Sequence, residues 1–313
     1  MCDRIGFEEF GMKIRVPGST SNLGAGFDCF GLALKLYLTV DARITPDASE
    51  PCRVTTTGAK ENEVLPRNSA NLIYRAMSFA ARRENVSLPP VELSVHNEIP
   101  LASGLGSSAA AIVAGIKLYA LITGQEITDQ AMLNYATEFE GHPDNVSASL
   151  CGGFVINCTR KDRSVIAAKF DWPLDVRIVV VSPHSQLPTH VARAALSRTV
   201  GRAAAVHNLQ RTALFTAAIA QQRHELFWDA MHDQLHQPQR ESLVPGLEEA
   251  LVLPRTEGLL GVALSGAGPS ILALATDHTD EIGEKLANCF RAHKIESTVR
   301  TVEVDNDGCR LLQ

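Results

Sequence analysis

The sequence has no excess of basic residues. Among its 313 residues, Lys plus Arg number 29 and Asp plus Glu number 35, which gives a formal net charge of −6. Such a balance provides no electrostatic surface for nucleic acid or for anionic lipid. The charge-free stretch from Ile99 to Ile116 is rich in glycine and serine, which is typical of a loop that enters a helix and not of a membrane span. We therefore expect neither nucleic acid nor a membrane as a partner.

Paired cysteines are also lacking. The seven cysteines are scattered and form no CxxC pair, so the sequence predicts neither a disulfide framework nor a zinc cluster. The amino-terminal residues, MCDRIGFEEFGMK, contain no apolar stretch of the kind that a secretory signal requires. Together these absences favour a reduced, cytoplasmic protein.

The overall composition is that of a folded protein, with 45% hydrophobic and 20% charged residues. The length suggests two domains of roughly 150 residues each. A polar run, TRKDRS, follows Cys158, so we place a domain boundary near residue 160. The predicted division is residues 1–160, containing a phosphate loop, and residues 161–313, contributing to the substrate site.

Hydrophobic periodicity indicates an α+β protein. The residues from Leu32 to Ala42 alternate between apolar and polar, as in a strand with one solvated face. Further predicted strands are Met12–Pro17, Cys52–Thr57, Val91–His96, Gly152–Cys158, Val176–Val181, Leu259–Leu264, Ser270–Ala275 and Glu296–Val304. Predicted helices are Ser69–Glu84, Ala109–Ile122, Asp129–Glu140, Thr189–Ser197, Arg202–Gln222, Glu225–Leu235, Pro245–Leu253 and Thr279–His293.

The segment PLASGLGSSAA is the most informative for chemistry. Glycines in the loop allow close approach of a ligand to the backbone, and the serines and alanines after them open a helix. The free amides at a helix start, together with its partial positive charge, form an anion site, and a nucleotide phosphate is the natural occupant. The segment is neither a Walker loop, because no GK[ST] follows, nor a dinucleotide fingerprint.

Three motifs occur in an order that resembles a known family. They are VPGSTSNLGAGFDCFGLAL from Val16, PLASGLGSSAA from Pro100 and LSGAGPSILAL from Leu264. The sequence is thereby similar to the small-molecule kinases named for galactokinase, homoserine kinase, mevalonate kinase and phosphomevalonate kinase. The resemblance implies a two-domain α+β kinase fold, with an N-terminal domain like ribosomal protein S5 domain 2, a ferredoxin-like C-terminal domain and an ATP cleft between them.

Further motifs indicate the branch of that family. NLGAGFD, EGHPDN, the THVAR segment and QPQR resemble homoserine kinases, whereas mevalonate kinase-like members tend to have a lysine directly after the Pro-Gly. The resemblance implies ATP-dependent phosphorylation of the side-chain hydroxyl of L-homoserine, in threonine biosynthesis, by a cytoplasmic homodimer. Two alternatives remain: a sibling kinase of another small alcohol, such as a mevalonate-pathway intermediate, and a nucleotide-binding protein without turnover.

Homoserine is a zwitterion, so its site requires donors for a carboxylate and acceptors for an ammonium. The planar fork of arginine suits a carboxylate, and Arg193 and Arg240 are the candidates. Asn22 and Asp28 could receive the ammonium or the hydroxyl, although Asp28 could instead brace the neighbouring turn. Thr189 is a further substrate-site residue by resemblance. The expected ATP-binding residues are Pro100, Leu101, Ala102, Ser103, Gly104, Leu105, Gly106, Ser107, Ser108 and Ala109.

The resemblance also implies a magnesium ion held by the Ser108 hydroxyl and a glutamate. Magnesium takes few protein ligands when phosphate oxygens bind it. We favour Glu140 for the carboxylate, with Glu138 as the alternative.

The predicted catalytic residues are Asn145, Asp144 and His142. Phosphoryl transfer depends mainly on positioning and charge stabilisation, and an amide cannot accept a proton at neutral pH. We expect Asn145 to position the hydroxyl with no side chain removing its proton before transfer. Asp144 is the rival base, and His142 is expected in the substrate pocket.

Two further segments carry expectations. The turn from Gly266 to Ser270 has no side chain able to perform acid-base chemistry, so we expect it to shape the cleft by backbone contact with the phosphate loop. Gln237 stands where relatives commonly have an acid, so a substrate contact is expected to be missing or to come from Glu241.

Overall fold

The structure is a computed structural model that describes residues 11–58 and 65–312. The strands are β1 Met12–Asn22, β2 Gly26–Ile44, β3 Cys52–Gly58, β4 Val91–Asn97, β5 Phe154–Thr159, β6 Val165–Phe170, β7 Arg177–Pro183, β8 Leu259–Leu264, β9 Ile271–Ala275, β10 Ser297–Val302 and β11 Arg310–Leu312. The α-helices are α1 Leu72–Glu84, α2 Ser107–Thr123, α3 Asp129–Glu140, α4 Asp144–Cys151, α5 Thr189–Ala194, α6 Arg202–Gln221, α7 Phe227–Ala230, α8 Leu247–Leu251 and α9 Thr279–Ala292.

Seven strands form the first sheet. Its main path runs β11-β1-β2-β4-β3, and the long strand β2 also pairs with β5, which pairs with β6. The strand β2 is long enough to bind β1 along its whole length while passing from β5 to β4. Helices α2 and α4 pack on β1, and α1 and α3 pack on α2. This packing brings the amino ends of α2 and α4 close to the carboxyl end of β1.

Four strands form the second sheet, in the order β10-β7-β9-β8, all antiparallel. Side chains on one face, such as Val179 and Val181, form a core with α9. Side chains on the other face, such as Ile178 and Val180, belong to the same apolar core as the first sheet. One continuous core therefore joins the two sheets, and the residues between the sheets are held in a fixed relation.

Most predicted elements are present with extended or trimmed ends. Helix α1 begins at Leu72 and not at Ser69, because Asn71 caps it: the Asn71 Oδ1 accepts the Ile73 N–H at 3.0 Å. Three elements were not predicted, namely α4, β6 and β11. The sequence of α4, DNVSASLC, is poor in strong helix formers, and β11 is too short to show a period.

The predicted helix Glu225–Leu235 is present only as far as Ala230, and its second half is wrong. A 3₁₀ turn over His224–Leu226 leads into α7, and the chain then leaves the helix after Ala230. The carboxylate of Asp233 accepts backbone N–H groups of Leu235, His236 and Gln237 at 2.7–3.0 Å. A side chain that binds these amides replaces the helical carbonyl acceptors, so a turn forms in place of a further helical segment.

The strands of the first sheet do not all precede those of the second sheet in the sequence. Strand β6 follows residue 160 but pairs with β5, and the final strand β11 pairs with β1, so both belong to the first sheet. The division of the domains near residue 160 stays a prediction. No helix within the described ranges is long and apolar enough to cross a membrane. Every cysteine in those ranges is a free thiol.

Candidate active site

The loop before α2 leaves the helix start open. Gly106 is the N-cap residue with φ of 69°, and no side chain caps the helix. The first backbone hydrogen bond of the helix runs from Ala110 N to Gly106 O at 2.9 Å, so the amides of Ser107, Ser108 and Ala109 have no helical acceptor. These amides and the helix dipole together form an anion-binding surface.

Close backbone contacts hold this loop from two sides. A Cβ on Gly106 would lie 2.1 Å from Ser19 Oγ, and one on Gly104 would lie 2.2 Å from Ser265 O. Both glycines have positive φ, so each position requires glycine for conformation as well as for space. Ser265 Oγ donates to Gly104 O at 2.7 Å. The expected backbone contact between the glycine turn and the phosphate loop is the hydrogen bond from Ser270 N to Ser103 O at 3.2 Å.

A cavity of ≈ 530 Å³ extends from this loop in both directions. It is lined by most of the predicted ATP, substrate and catalytic residues, with the exceptions of Asp28 and the buried Ala109. The part of the lining from β3, β4 and the start of α1 is mainly apolar apart from Arg75, and the other charged groups come from Glu140, His142, Asp144, Arg193 and Arg240. The arrangement suits an elongated ligand with phosphates at the centre.

Ser108 and Glu140 line the cavity and contact each other. Ser108 Oγ donates to Glu140 Oε1 at 2.6 Å, and the Glu140 side chain is 15% exposed. Burial raises the pKa of Glu140, while the hydrogen bond from Ser108 opposes that rise. Glu138 instead forms an ion pair with Arg83 on the outer face and has a 49% exposed side chain. Only Glu140 of the two candidates faces the cavity.

His142 and Asp144 form a buried ion pair. His142 Nδ1 lies 2.9 Å from Asp144 Oδ1, and Asp144 is 2% exposed. Burial alone would lower the pKa of His142, but the hydrogen bond and charge of Asp144 raise it above its ordinary value. Burial alone would raise the pKa of Asp144, but the hydrogen bond and charge of His142 hold it below its ordinary value. The pair therefore favours a protonated imidazole beside a carboxylate.

Asn145 is fixed at both ends of its amide. Its Oδ1 accepts from Ser19 Oγ at 3.0 Å, and its Nδ2 donates to Ser21 Oγ at 3.1 Å. The backbone N–H of Asn145 also donates to Asp144 Oδ1 at 2.7 Å. The second Nδ2 hydrogen is directed to Asp144 Oδ1 at 3.3 Å, so one lone pair on Oδ1 remains for a ligand. The serines of β1 thus orient an amide at the start of α4.

Arg193 and Asp28, predicted to contact different parts of a substrate, contact each other. The guanidinium donates to both carboxylate oxygens, at 2.6 and 3.2 Å, and both side chains are about one-third exposed. Asp28 has φ of 55°, and its backbone N–H donates to Asn22 Oδ1 at 3.1 Å. The pair closes one side of the charged end of the cavity, with the Phe27 ring beneath Arg193.

Arg240 is a buried cation, 1% exposed, without a carboxylate partner among the described residues. Its Nε donates to Ala192 O and its Nη1 to Gly266 O, and Nη1 also lies 3.1 Å from His236 Nδ1. Burial, together with the charge of Arg193, lowers its pKa to about 10. Arg240 also lines the cavity, and the carboxylates of Asp28, Asp233 and Asp144 act on its charge without forming an ion pair with it.

The other predicted contact residues either stabilise the structure around the site or line the cavity. Asn22 donates to Gly266 O at 3.0 Å and accepts from Asp28 N, so its amide joins the glycine turn to β1. Thr189 lies at the first turn of α5 and lines the cavity. Gln237 is buried and accepts the Leu264 N–H at 2.7 Å, so the residue in place of the usual acid is structural.

Sequence reasoning did not find the apolar end of the cavity. Leu65, Pro66, Asn71 and Ile73 line it, and they look like an ordinary loop and helix start in the sequence. It also did not find Phe27, which lies below the guanidinium groups of both Arg193 and Arg240. Phe27 is part of the GAGFD string, where it follows two motif glycines and precedes an acid. That position was the available signal in the sequence.

The fold and this site define a kinase of small molecules. Residues 71–153 match the family model "GHMP kinases N terminal domain" and residues 215–292 match "GHMP kinases C terminal". The chain is 37% identical to a homoserine kinase of Aquifex aeolicus over 96% of this chain and 99% of that protein. It is 40% identical to a homoserine kinase of Solibacter usitatus over 95% and 96% of the two chains.

A solved structure agrees with these relatives. The crystal structure of homoserine kinase from Cytophaga hutchinsonii covers 100% of both chains with a TM-score of 0.84 and 26% sequence identity. The chain therefore has the two-domain GHMP kinase fold, and it belongs to the homoserine kinase family. The resemblance to this kinase family and the predicted fold class are confirmed.

Proposed function

We propose that this chain transfers the γ-phosphoryl group of ATP to the side-chain hydroxyl of L-homoserine, giving O-phospho-L-homoserine for threonine biosynthesis. The observation that carries the substrate assignment is Arg240, a buried guanidinium that faces the cavity without a carboxylate partner in the described part of the chain. A buried charge without an ion-pair partner is costly, and a substrate carboxylate would lower that cost. The charge compensation at Arg193 comes from Asp28, whose two carboxylate oxygens both accept from that guanidinium.

ATP would lie along the cavity with its phosphates at the start of α2. The free amides of Ser107 to Ala109 would bind phosphate oxygens, and the apolar end near Ile73 would take the base. No lysine or arginine is needed at the loop itself, because the amides and the helix dipole supply the positive potential. The GHMP kinase family membership supports this orientation.

Ser108 and Glu140 fit a magnesium ion that is bound mainly through ATP. Hydroxyl and carboxylate oxygens are ligands that magnesium accepts, and two protein ligands suffice when phosphates and waters complete the shell. When bound, the ion neutralises charge on the transferring phosphoryl group. Glu140, buried beside His142, provides a carboxylate whose burial is balanced by hydrogen bonding.

Asn145 would orient the substrate hydroxyl toward the phosphoryl group. Its remaining lone pair can accept the hydroxyl hydrogen, and its amide cannot rotate because Ser19 and Ser21 hold it. Asp144 is a poor base in this setting, since its pKa is held down by His142 and its Oδ1 already accepts the Asn145 N–H. We therefore propose that no side chain removes the hydroxyl proton before transfer. His142, protonated, adds positive charge near the reacting groups.

The activity is tested by measuring ADP release by the purified chain with ATP, magnesium and L-homoserine, and by identifying the product by mass spectrometry. Turnover with homoserine but not with mevalonate or galactose is expected. Turnover with mevalonate alone would instead identify a sibling kinase, and ATP binding without turnover on any of them would identify a nucleotide-binding protein.

The base-free step is tested with Asp144→Asn and Asn145→Ala made separately. We expect Asn145→Ala to reduce kcat strongly and Asp144→Asn to leave measurable turnover. The proposal fails if Asp144→Asn removes turnover while the fold and homoserine binding persist.

We also propose that the active form is a cytoplasmic homodimer, as the family resemblance implies. Light scattering coupled to size-exclusion chromatography tests the oligomeric state, and a mass of one chain at working concentration would contradict it.

A further inference from the structure

A second cavity, of ≈ 390 Å³, lies between α6, the segment from Trp228 to Gln237 and β8. It shares no lining residue with the active-site cavity. Asp233, whose side chain is fully buried, forms part of its floor and is saturated by backbone N–H groups and by Asn208. The volume falls within the range of cavities that hold small ligands.

Two opposite charges line this cavity, and neither has an ion-pair partner within residues 11–58 and 65–312. Arg211 donates from Nη1 to the carbonyl of His207 at 3.3 Å, and its buried Nε has no hydrogen-bond partner. Asp229 lies on α7 in the same lining and is exposed. Since Asp233 is already satisfied, Asp229 is the carboxylate that remains available to a ligand.

Part of the lining is apolar and aromatic, and another part is polar but uncharged or imidazole. The apolar and aromatic residues are Trp228, Met231, Leu251 and Val262, and the others are His207, His232, Gln234 and Gln237. The ring of Trp228 is oriented by Arg255, whose guanidinium carbon lies 5.7 Å from the ring centroid. A ligand for this cavity should therefore carry a negative group, a positive group and an apolar group at once.

We propose that this second cavity binds an α-amino acid with an apolar side chain, with its carboxylate on Arg211, its ammonium at Asp229 and its side chain against Trp228 and Leu251. A carboxylate matches the guanidinium fork, and an ammonium requires an acceptor with negative charge. One zwitterion satisfies both side chains, whereas a simple anion would leave Asp229 without a partner. This site is separate from the proposed catalytic function, and its test does not depend on turnover.

Tryptophan fluorescence gives a direct readout, because the chain has 2 tryptophans and only Trp228 lines this cavity. The full-length protein is titrated with L-leucine, L-valine and L-phenylalanine. Trp172→Phe should keep the signal and Trp228→Phe should lose it. Calorimetry on the same samples gives the affinities and stoichiometry.

Two analogues of leucine separate its charges. The carboxylate-only analogue is 4-methylpentanoate, and the amine-only analogue is 3-methylbutylamine. Each should bind at least about tenfold more weakly than L-leucine, since each loses one charge-assisted contact. Arg211→Gln should weaken L-leucine at least about tenfold but leave 3-methylbutylamine unchanged, and Asp229→Asn should weaken L-leucine but leave 4-methylpentanoate unchanged.

Arg202→Gln, an exposed arginine at the start of the same helix, is the matched control and should leave every affinity unchanged. Arg240→Met distinguishes binding in the second cavity from binding in the active site, and it should not alter L-leucine binding. The proposal is overturned if none of the three amino acids binds, if Arg240→Met removes binding and Arg211→Gln does not, or if 4-methylpentanoate binds as tightly as L-leucine. Asp229→Asn, on an exposed side chain, keeps the test decisive if Arg211→Gln fails to fold.

Discussion

Replacement of Arg240 by methionine tests the charge logic of the substrate site most directly. The side chain is buried, and methionine fills much of its volume with apolar atoms. The variant therefore removes the positive charge and the hydrogen bonds to Ala192 O and Gly266 O without creating a large cavity.

The expected magnitude follows from the interaction that is lost. A hydrogen bond to a charged partner contributes about 1.5–3 kcal/mol, which corresponds to roughly a 10- to 150-fold increase in KM for homoserine. Because the carboxylate is remote from the reacting hydroxyl, most of the loss should appear in KM and little in kcat. Arg240→Lys keeps the charge but loses the planar fork, so its KM should lie between those of the wild type and Arg240→Met.

The assay is steady-state ADP release at varied homoserine and saturating ATP, repeated at varied ATP. The KM for ATP should stay within about twofold of the wild type, since Arg240 lies at the opposite end of the cavity from the base. Thermal unfolding separates loss of binding from loss of fold, because the carbonyls of Ala192 and Gly266 lose a donor.

An unchanged KM for homoserine in a folded Arg240→Met protein would refute the assignment of the carboxylate to this residue. A matched change in Arg202→Met, an exposed arginine of α6, should have no effect and controls for loss of net charge.

Three further predictions follow from the site. Gly106→Ala should raise KM for ATP at least about tenfold, since its Cβ would lie 2.1 Å from Ser19 Oγ at a φ of 69°. Steady-state kinetics at varied ATP measure this KM, and an unchanged KM would contradict the prediction. Glu140→Gln should lower the apparent magnesium affinity about tenfold or more at constant ATP, checked by titrating the metal; an unchanged requirement would remove Glu140 from the metal site. His142→Gln should destabilise the protein most near about pH 6 and little at about pH 9. Because the pKa of His142 is raised in the folded protein, its contribution to stability is complete below the unfolded pKa of about 6.5. That contribution is lost as the pH rises through the folded pKa. Urea unfolding of both proteins at the two pH values measures this difference, and a difference that grew with pH would contradict the ion pair with Asp144.

The strands and helices with clear periodicity were predictable because burial alone determines their pattern. Strand β2 alternates in burial from Leu38 to Ala42, and α3 has the predicted ends, Asp129 and Glu140. The segment after Ala230 was mispredicted because Asp233 binds three backbone amides, and such side-chain competition does not appear in apolar spacing.

The candidate site was predictable at the level of residue types, since the motifs contain the phosphate loop and the charged groups. The pairing of the charged side chains within the site was not predictable. Nothing in the sequence indicates that Arg193 compensates Asp28, or that Arg240 lacks a carboxylate partner in the described structure. Both facts depend on how α5 and the turn before β9 approach β2. The outward direction of Glu138 also depends on Arg83 of another helix.

The pairing of β11 with β1 affects how the protein is made. Strand β1 supplies the serines that hold Asn145, yet its outer edge at Lys13–Arg15 is covered by residues 310–312, which lie far later in the sequence. During synthesis that edge stays open to other strands until residues 310–312 have been made. Nascent chains on crowded polysomes are therefore most exposed to intermolecular strand pairing at the element on which the reaction geometry depends.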